Sequence, residues 1–187
     1  MHPHEWVSSC LQFVKFSQNI GDNWELVTSE SKEIYICSKK MTRFKVNAQA
    51  PGLGAEFAEF TDIDPSCATV SFEKNEQFLV EYHVVYSVSY QVPVLYLNIQ
   101  DSRGQTIDLQ TAWLLLETLK EIGSKGAYCT LTQMEHPILQ RPFLCVHPCK
   151  THEIIDSLPN SKQSIVTFLS TYGPFVKLYL DGQYACI

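Results

Sequence analysis

Phe78-Leu79-Val80-Glu81-Tyr82-His83-Val84-Val85-Tyr86-Ser87-Val88-Ser89-Tyr90-Gln91-Val92-Pro93-Val94-Leu95-Tyr96-Leu97-Asn98-Ile99 is the stretch that decides the fold. Val, Tyr and Phe dominate its first half, and Tyr82, Val84, Tyr86 and Val88 recur at every second position. That period of two predicts a central strand from Phe78 to Tyr90, packed on one face by a helix. A second strand is expected from Val94 to Ile99. Gln91-Val92-Pro93 separates them, because proline cannot donate to a sheet ladder and so marks a turn or an edge.

Upstream, Trp24–Thr28, Ile34–Cys37 and Phe44–Val46 read as further strands of a hairpin or meander. The Ala-, Gly-, Pro- and acid-rich segment from Asn47 to Pro65 reads as a long loop. Before these, Glu5 to Ile20 sets Trp6, Cys10, Phe13 and Ser17 on one helical stripe, with Val7, Leu11 and Val14 beside it and Gly21-Asp22 as its end. Downstream, Asp101-Ser102-Arg103-Gly104 reads as a tight turn. Asp108 stands at the N-cap of a helix carrying Leu109, Ala112, Trp113, Leu116 and Leu119, which Gly123 ends. Leu131–Glu135 and Phe143–Val146 are short extended pieces. Ser161–Tyr172 is a last helix, stopped by Gly173-Pro174. Strands lie together with helices at either end, so the fold class is α+β with a mostly antiparallel sheet rather than an alternating parallel fold.

The chain of 187 residues has the size of one domain, taken as 1–187. Hydrophobic residues make up 45% and charged residues 18%, and the mean hydropathy is −0.08, as in globular proteins and unlike disordered ones. The longest charge-free apolar stretch, Val84 to Ile99, is too short and too polar to span a bilayer. The N-terminus lacks the pattern of a secretory signal, and a cytoplasmic location is expected. A net charge of −6 argues against a nucleic-acid partner, which would need Lys and Arg to neutralise phosphates. Lys39, Lys40, Arg43 and Lys45 do cluster, but lysines on an edge strand also block edge-to-edge pairing, and that reading is preferred. The region from Ile34 to Val46 is nonetheless a candidate for strand addition to a partner.

The seven cysteines, Cys10, Cys37, Cys67, Cys129, Cys145, Cys149 and Cys186, contain no C-x-x-C pair, which suggests neither a disulfide framework nor a zinc ribbon. Cys149 stands apart. It follows the apolar run Phe143-Leu144-Cys145-Val146 and precedes the polar run Lys150-Thr151-His152-Glu153. Pro148 fixes its own backbone and keeps His147 extended, so the thiol sits on a stiffened junction between strand and loop. If Thr151 caps a helix running through Ile154 and Ile155, the helix N-terminus and Lys150 both favour the thiolate. Competing readings are a core cysteine, a metal ligand with Cys145 and His147, and a protease nucleophile with His83, His136 or His147 as base. No standard zinc spacing or papain-type signature is matched. The residues alone reach an exposed, activated cysteine in an α+β domain, with no metal and no cofactor called for.

The run from Glu81 to Tyr96, with Glu135-His136-Pro137-Ile138-Leu139 and His147-Pro148-Cys149-Lys150-Thr151, resembles the autophagy-related protein ten family, the ubiquitin-like-conjugating enzymes of the first autophagy conjugation system. The similarity extends from the first helix to Tyr172-Gly173-Pro174. The related autophagy-related protein three shares His-Pro-Cys but carries a long acidic insertion for which this chain has no room. The resemblance implies a ubiquitin-conjugating-enzyme-like fold. It implies that Cys149 accepts the modifier (autophagy-related protein twelve) from the activating enzyme (autophagy-related protein seven) as a thioester. Transfer to a lysine of the acceptor, autophagy-related protein five, would follow. The alternative is an inactive adaptor of the same fold, which the retained cysteine disfavours. Ordinary ubiquitin-conjugating enzymes hold the oxyanion of the second step with the Asn of a His-Pro-Asn motif; here that Asn is missing. Tyr90, Tyr86 and His136 are candidate substitutes, and His147 is a supporting residue that shapes the turn.

Overall fold

The computed structural model describes residues 2–47, 73–116, 131–148, 151 and 163–187. Chain order is α1 (Pro3–Asn19), β1 (Glu25–Thr28), β2 (Ile34–Asn47), β3 (Glu73–Ser87), β4 (Val92–Gln100), α2 (Leu109–Leu115), β5 (Leu131–Glu135), β6 (Pro142–Val146) and α3 (Ser164–Tyr172). Two short 3-10 turns, Gly173–Val176 and Gly182–Cys186, close it. The strands form one antiparallel sheet in the order β1-β2-β3-β4-β6-β5. This is the expected α+β class, although α2 falls between β4 and β5 rather than at an end.

Helix α1 buries Trp6, Cys10, Phe13, Val14 and Ser17 and leaves Val7 and Leu11 outside. Its end is set by Gly21 at φ +72°, where Asp22 N–H donates to Ser17 O (2.9 Å) and Gly21 N–H to Gln18 O (3.2 Å). Those paired bonds satisfy the last carbonyls, and the left-handed position suits glycine. The buried Ser17 hydroxyl accepts from Trp24 N–H (3.2 Å) and donates to Asp22 O (3.0 Å), tying the helix to the start of β1.

Three expectations about strands need correction. Ile34–Cys37 and Phe44–Val46 belong to a single strand, because every residue of β2 from Tyr35 to Asn47 is paired with β3, including the polar ones between. The central strand stops at Ser87, not Tyr90: Val88 is 75% exposed in a turn whose last residue, Gln91, has φ +55°. Pro93 lies inside β4 opposite Tyr86, near a strand end where the pairing with β6, which covers Leu95 to Leu97, does not reach. The lost donor therefore costs little. The expected loop up to Pro65 falls outside the described residues after Asn47, as do Leu119, Gly123, Ser161 and Lys162.

The sheet alternates as its period demands. Tyr82, Val84, Leu95, Leu97, Leu144 and Val146 face the main core under α1, α3 and the C-terminal turns. Tyr35, Val85, Val94, Tyr96, Phe143 and Cys145 form a second cluster on the opposite face. Tyr82 is fully buried and donates its hydroxyl to Val176 O (2.9 Å), which fixes the segment after α3 to the sheet. Gly173 ends α3 for a reason other than backbone freedom: a Cβ there would stand 2.5 Å from Leu178 O. Asp108 caps α2 as expected, accepting from Thr111 N–H (2.7 Å), and Gln163 caps α3.

The basic cluster is structural where it is paired. Lys40 Nζ lies 2.9 Å from Asp22, whose other oxygen accepts from the Tyr184 hydroxyl (2.9 Å), and Lys39 Nζ lies 3.3 Å from Glu81. β1 covers Ile34–Cys37, so that part is no edge. From Ser38 onward β2 has only β3 as a strand partner among the described residues.

Candidate active site

Strand β6 delivers the chain to His147-Pro148. It is held between β4 and β5, with Phe143 to Val146 all buried, so the junction beyond it starts from a fixed base. Pro148 is itself buried and His147 half-buried. Cys149 and Lys150 lie outside the described residues. Thr151 is buried and already helical, so it is not the cap; Ile154 and Ile155 lie outside the described residues.

The turn between β3 and β4 reaches the same place. Tyr90 N–H donates to Ser87 Oγ (3.3 Å), and the Tyr90 ring, 48% exposed, meets the His147 ring edge-on at 6.2 Å between centroids. Of the three aromatic or imidazole groups proposed as oxyanion donors, Tyr90 is the one the fold brings to this junction. Tyr86 stacks on Trp6 of α1 at 6.0 Å, on the helix-covered face. His136 is fully buried, and both its ring nitrogens are engaged: Nδ1 with the Ile138 and Leu139 N–H groups (3.3 and 3.1 Å), Nε2 with His83 Nδ1 (3.1 Å). Neither His83, at 1% exposure, nor His136 is placed to act as a base on a solvent-borne substrate.

Cys10, Cys37 and Cys145 are poor nucleophiles. Burial pushes the thiol of Cys145 up to about 12 and that of Cys37 up to about 11, and it raises Cys10 further still. Cys145 is fully buried, its Sγ 3.6 Å from Val146 O, which removes it from the suggested ligand set with His147. Among the described residues no group of three or more His, Cys, Asp or Glu could hold a metal ion. Cys186 is exposed but lies in the last 3-10 turn, without a His-Pro junction. No helix among the described residues is long and apolar enough to cross a membrane.

Comparison with known proteins places this geometry. The family described as autophagocytosis associated protein, active-site domain, matches residues 5–181. The chain is 35% identical over 195 residues to a human protein named ubiquitin-like-conjugating enzyme ATG10, a match covering 94% of this chain and 88% of that one. Proteins of the same name from Arabidopsis thaliana and Dictyostelium discoideum are 38% and 30% identical over 124 and 118 residues. Those two matches cover 56% and 54% of this chain and 52% and 51% of the relatives. The chain therefore belongs to the autophagocytosis-associated active-site-domain family, among its ATG10-type ubiquitin-like-conjugating enzymes.

Proposed function

We propose that Cys149 accepts the ubiquitin-like modifier (autophagy-related protein twelve) from the activating enzyme (autophagy-related protein seven) as a glycyl thioester. It then passes the modifier to a lysine of autophagy-related protein five. In the first step the Cys149 thiolate attacks the thioester carbonyl held by the activating enzyme, whose own thiolate leaves. In the second, the lysine amine attacks the new thioester, the Cys149 thiolate leaves, the amine loses a proton and an isopeptide bond remains. Exchange between thiols of similar acidity needs no unusually low pKa, so accessibility matters more than activation. The chemistry calls for free thiols, which suits a single domain working in the reducing cytoplasm.

The observation that carries this reading is the junction itself: β6, buried from Phe143 to Val146, leading into His147-Pro148, with the Tyr90 ring against His147. His147 shapes the entry to the cysteine. The Tyr90 hydroxyl takes the place of the side-chain amide N–H that the missing Asn would otherwise provide, as a donor to the oxyanion of the second step. A single-turnover chase tests the whole sequence. The protein, loaded with modifier and freed of ATP, is mixed with the acceptor. A reductant-stable product with the acceptor at the expense of the loaded form is expected; persistence of the loaded form, or release of modifier to water alone, contradicts the reading.

A further inference from the structure

The buried histidine pair on the second face of the sheet belongs to no step above, and its hydrogen bonds have a single consistent direction. His136 Nδ1 lies 3.3 and 3.1 Å from the Ile138 and Leu139 N–H groups. Backbone N–H groups only donate, so Nδ1 is unprotonated and the proton of His136 sits on Nε2. That N–H donates to His83 Nδ1 at 3.1 Å, which puts the His83 proton on its own Nε2. His83 Nε2 in turn stands 3.3 Å from Glu81 Oε1, within ion-pair reach though not in hydrogen-bond alignment. Proton polarity thus runs from the turn joining β5 to β6, through both rings, to a carboxylate on β3.

We propose that this chain is a proton-sensitive latch on the β5–β6 turn, closed when both histidines are neutral and released when one proton is added. The reason lies in the donor count. A proton added to His136 makes both its nitrogens donors, and Nδ1–H then faces two N–H groups. A proton added to His83 makes its Nδ1 a donor as well, so His136 must turn its Nε2 into an acceptor and move its own proton to Nδ1. Either path sets a donor against the Ile138 and Leu139 amides, unless the two histidines part. The turn is otherwise closed by His136 N–H to Arg141 O and Gln140 N–H to His136 O, both 2.9 Å, with Gln140 held at φ +52°.

The groups around the pair set where this happens. Tyr35 from β2 packs on His83 at 4.9 Å, Tyr96 from β4 on His136 at 5.1 Å and Phe143 from β6 on both at 5.0 Å. Cys37 on β2 is paired in register with His83, and Cys145 on β6 with Tyr96. The charges are Glu81 on β3, Lys39 on β2 at 3.3 Å from it, and Arg141 at the turn, 4.0 Å from it. Glu135, the next residue back along the chain, is exposed. Burial first, then His83 and Arg141, pull His136 down to about 4 from an ordinary 6.5. The open turn binds its proton below about 6.5 and the closed turn only below about 4, so closure is favoured fully above 6.5 and loses ground as pH falls between the two.

The test is on the intact wild-type protein. At pH 7.5, nitrogen NMR of the histidine rings should show His136 with an unprotonated Nδ1 and a protonated Nε2. On acidification the exchange protection of the Ile138 and Leu139 amides, corrected for intrinsic rates, should fall about tenfold per pH unit once below the ordinary histidine range, the slope of one linked proton. The core amides of Val84 and Leu97 should not follow. Glu81→Gln removes the carboxylate that favours the added proton in the closed turn, so it should leave the onset in place and carry the fall on to lower pH before it levels off. The opposite tautomer at pH 7.5, protection at the turn that stays flat to pH 5, or a fall that levels off at the same pH in wild type and Glu81→Gln would each overturn the proposal. These readouts do not involve Cys149 and stand apart from the thioester reading.

Discussion

Replacing Tyr90 with Phe separates the two halves of the transfer reaction. A well-placed donor in a dry oxyanion site contributes about 3 to 4 kcal/mol to the transition state. The Tyr90 ring is 48% exposed, so water can take over part of the hydroxyl's role in the variant. Roughly half the full value, about 1.5 kcal/mol, should be lost, which is about a tenfold slower discharge to the acceptor. Loading should not change, because the hydroxyl has no part in reaching the thiol. Tyr90→Ala removes in addition the edge contact with His147. An aromatic pair of this kind is worth about 0.5 to 1.5 kcal/mol, and at half exposure the lower part of that range applies, a further two- to fivefold loss by this estimate. The side chain lies on a turn outside the core, so neither variant should unfold the protein, which thermal melting checks. The assay is single-turnover chase of pre-loaded protein. Discharge of the Phe variant at the wild-type rate would remove the hydroxyl from the chemistry, and equal loss in loading and discharge would assign Tyr90 to docking.

Four further outcomes follow from the fold. Tyr82→Phe leaves the buried Val176 carbonyl without its 2.9 Å partner and should lower stability by about 1 to 2 kcal/mol in urea unfolding while leaving loading intact. Gly173→Ala should destabilise by about 1 to 3 kcal/mol, because the new Cβ meets Leu178 O, even though φ at this position would accept alanine. Glu81 is held down at about 2, by His83 first and by Lys39 against the opposing effect of burial. Its advantage over Glu81→Gln should therefore be present above about pH 4.5, at most about 3 kcal/mol, and shrink as pH falls toward 2. Charge reversal at Arg43, on the part of β2 that β1 does not cover, should weaken loading by the activating enzyme if strand addition occurs there; unchanged loading would exclude it.

The sheet was legible wherever one face is buried throughout. Tyr82 and Val84 announce the core side of β3 because burial there follows the period of two, and the stripe from Trp6 to Ser17 does the same for α1. Val88 continues the alternation yet lies in a turn, since the pattern of hydrophobicity does not report where Gln91 takes a positive φ. The polar middle of β2, Ser38 to Arg43, hides a continuous strand because its pairing is made by backbone groups, which side-chain polarity does not encode. His136 read as a chemical candidate because imidazoles often are; its role in capping a turn depends on His83, 53 residues away, and no local signal carries that distance. The hint that did exist was Glu81 and His83, two residues apart and so on one face of β3, within the otherwise apolar run 78–86. Cys149 was singled out by the His147-Pro148 junction, but its chemistry came from resemblance, which the family match to residues 5–181 supports.

The most direct measurement mixes the protein with activating enzyme, ATP and modifier and resolves the products with and without thiol reductant. A reductant-sensitive adduct is expected from the wild type and from the Cys145→Ser and Cys186→Ser variants, while Cys149→Ser gives a reductant-resistant oxyester or nothing. A reductant-sensitive adduct that survives Cys149→Ser and disappears with another cysteine would contradict the account.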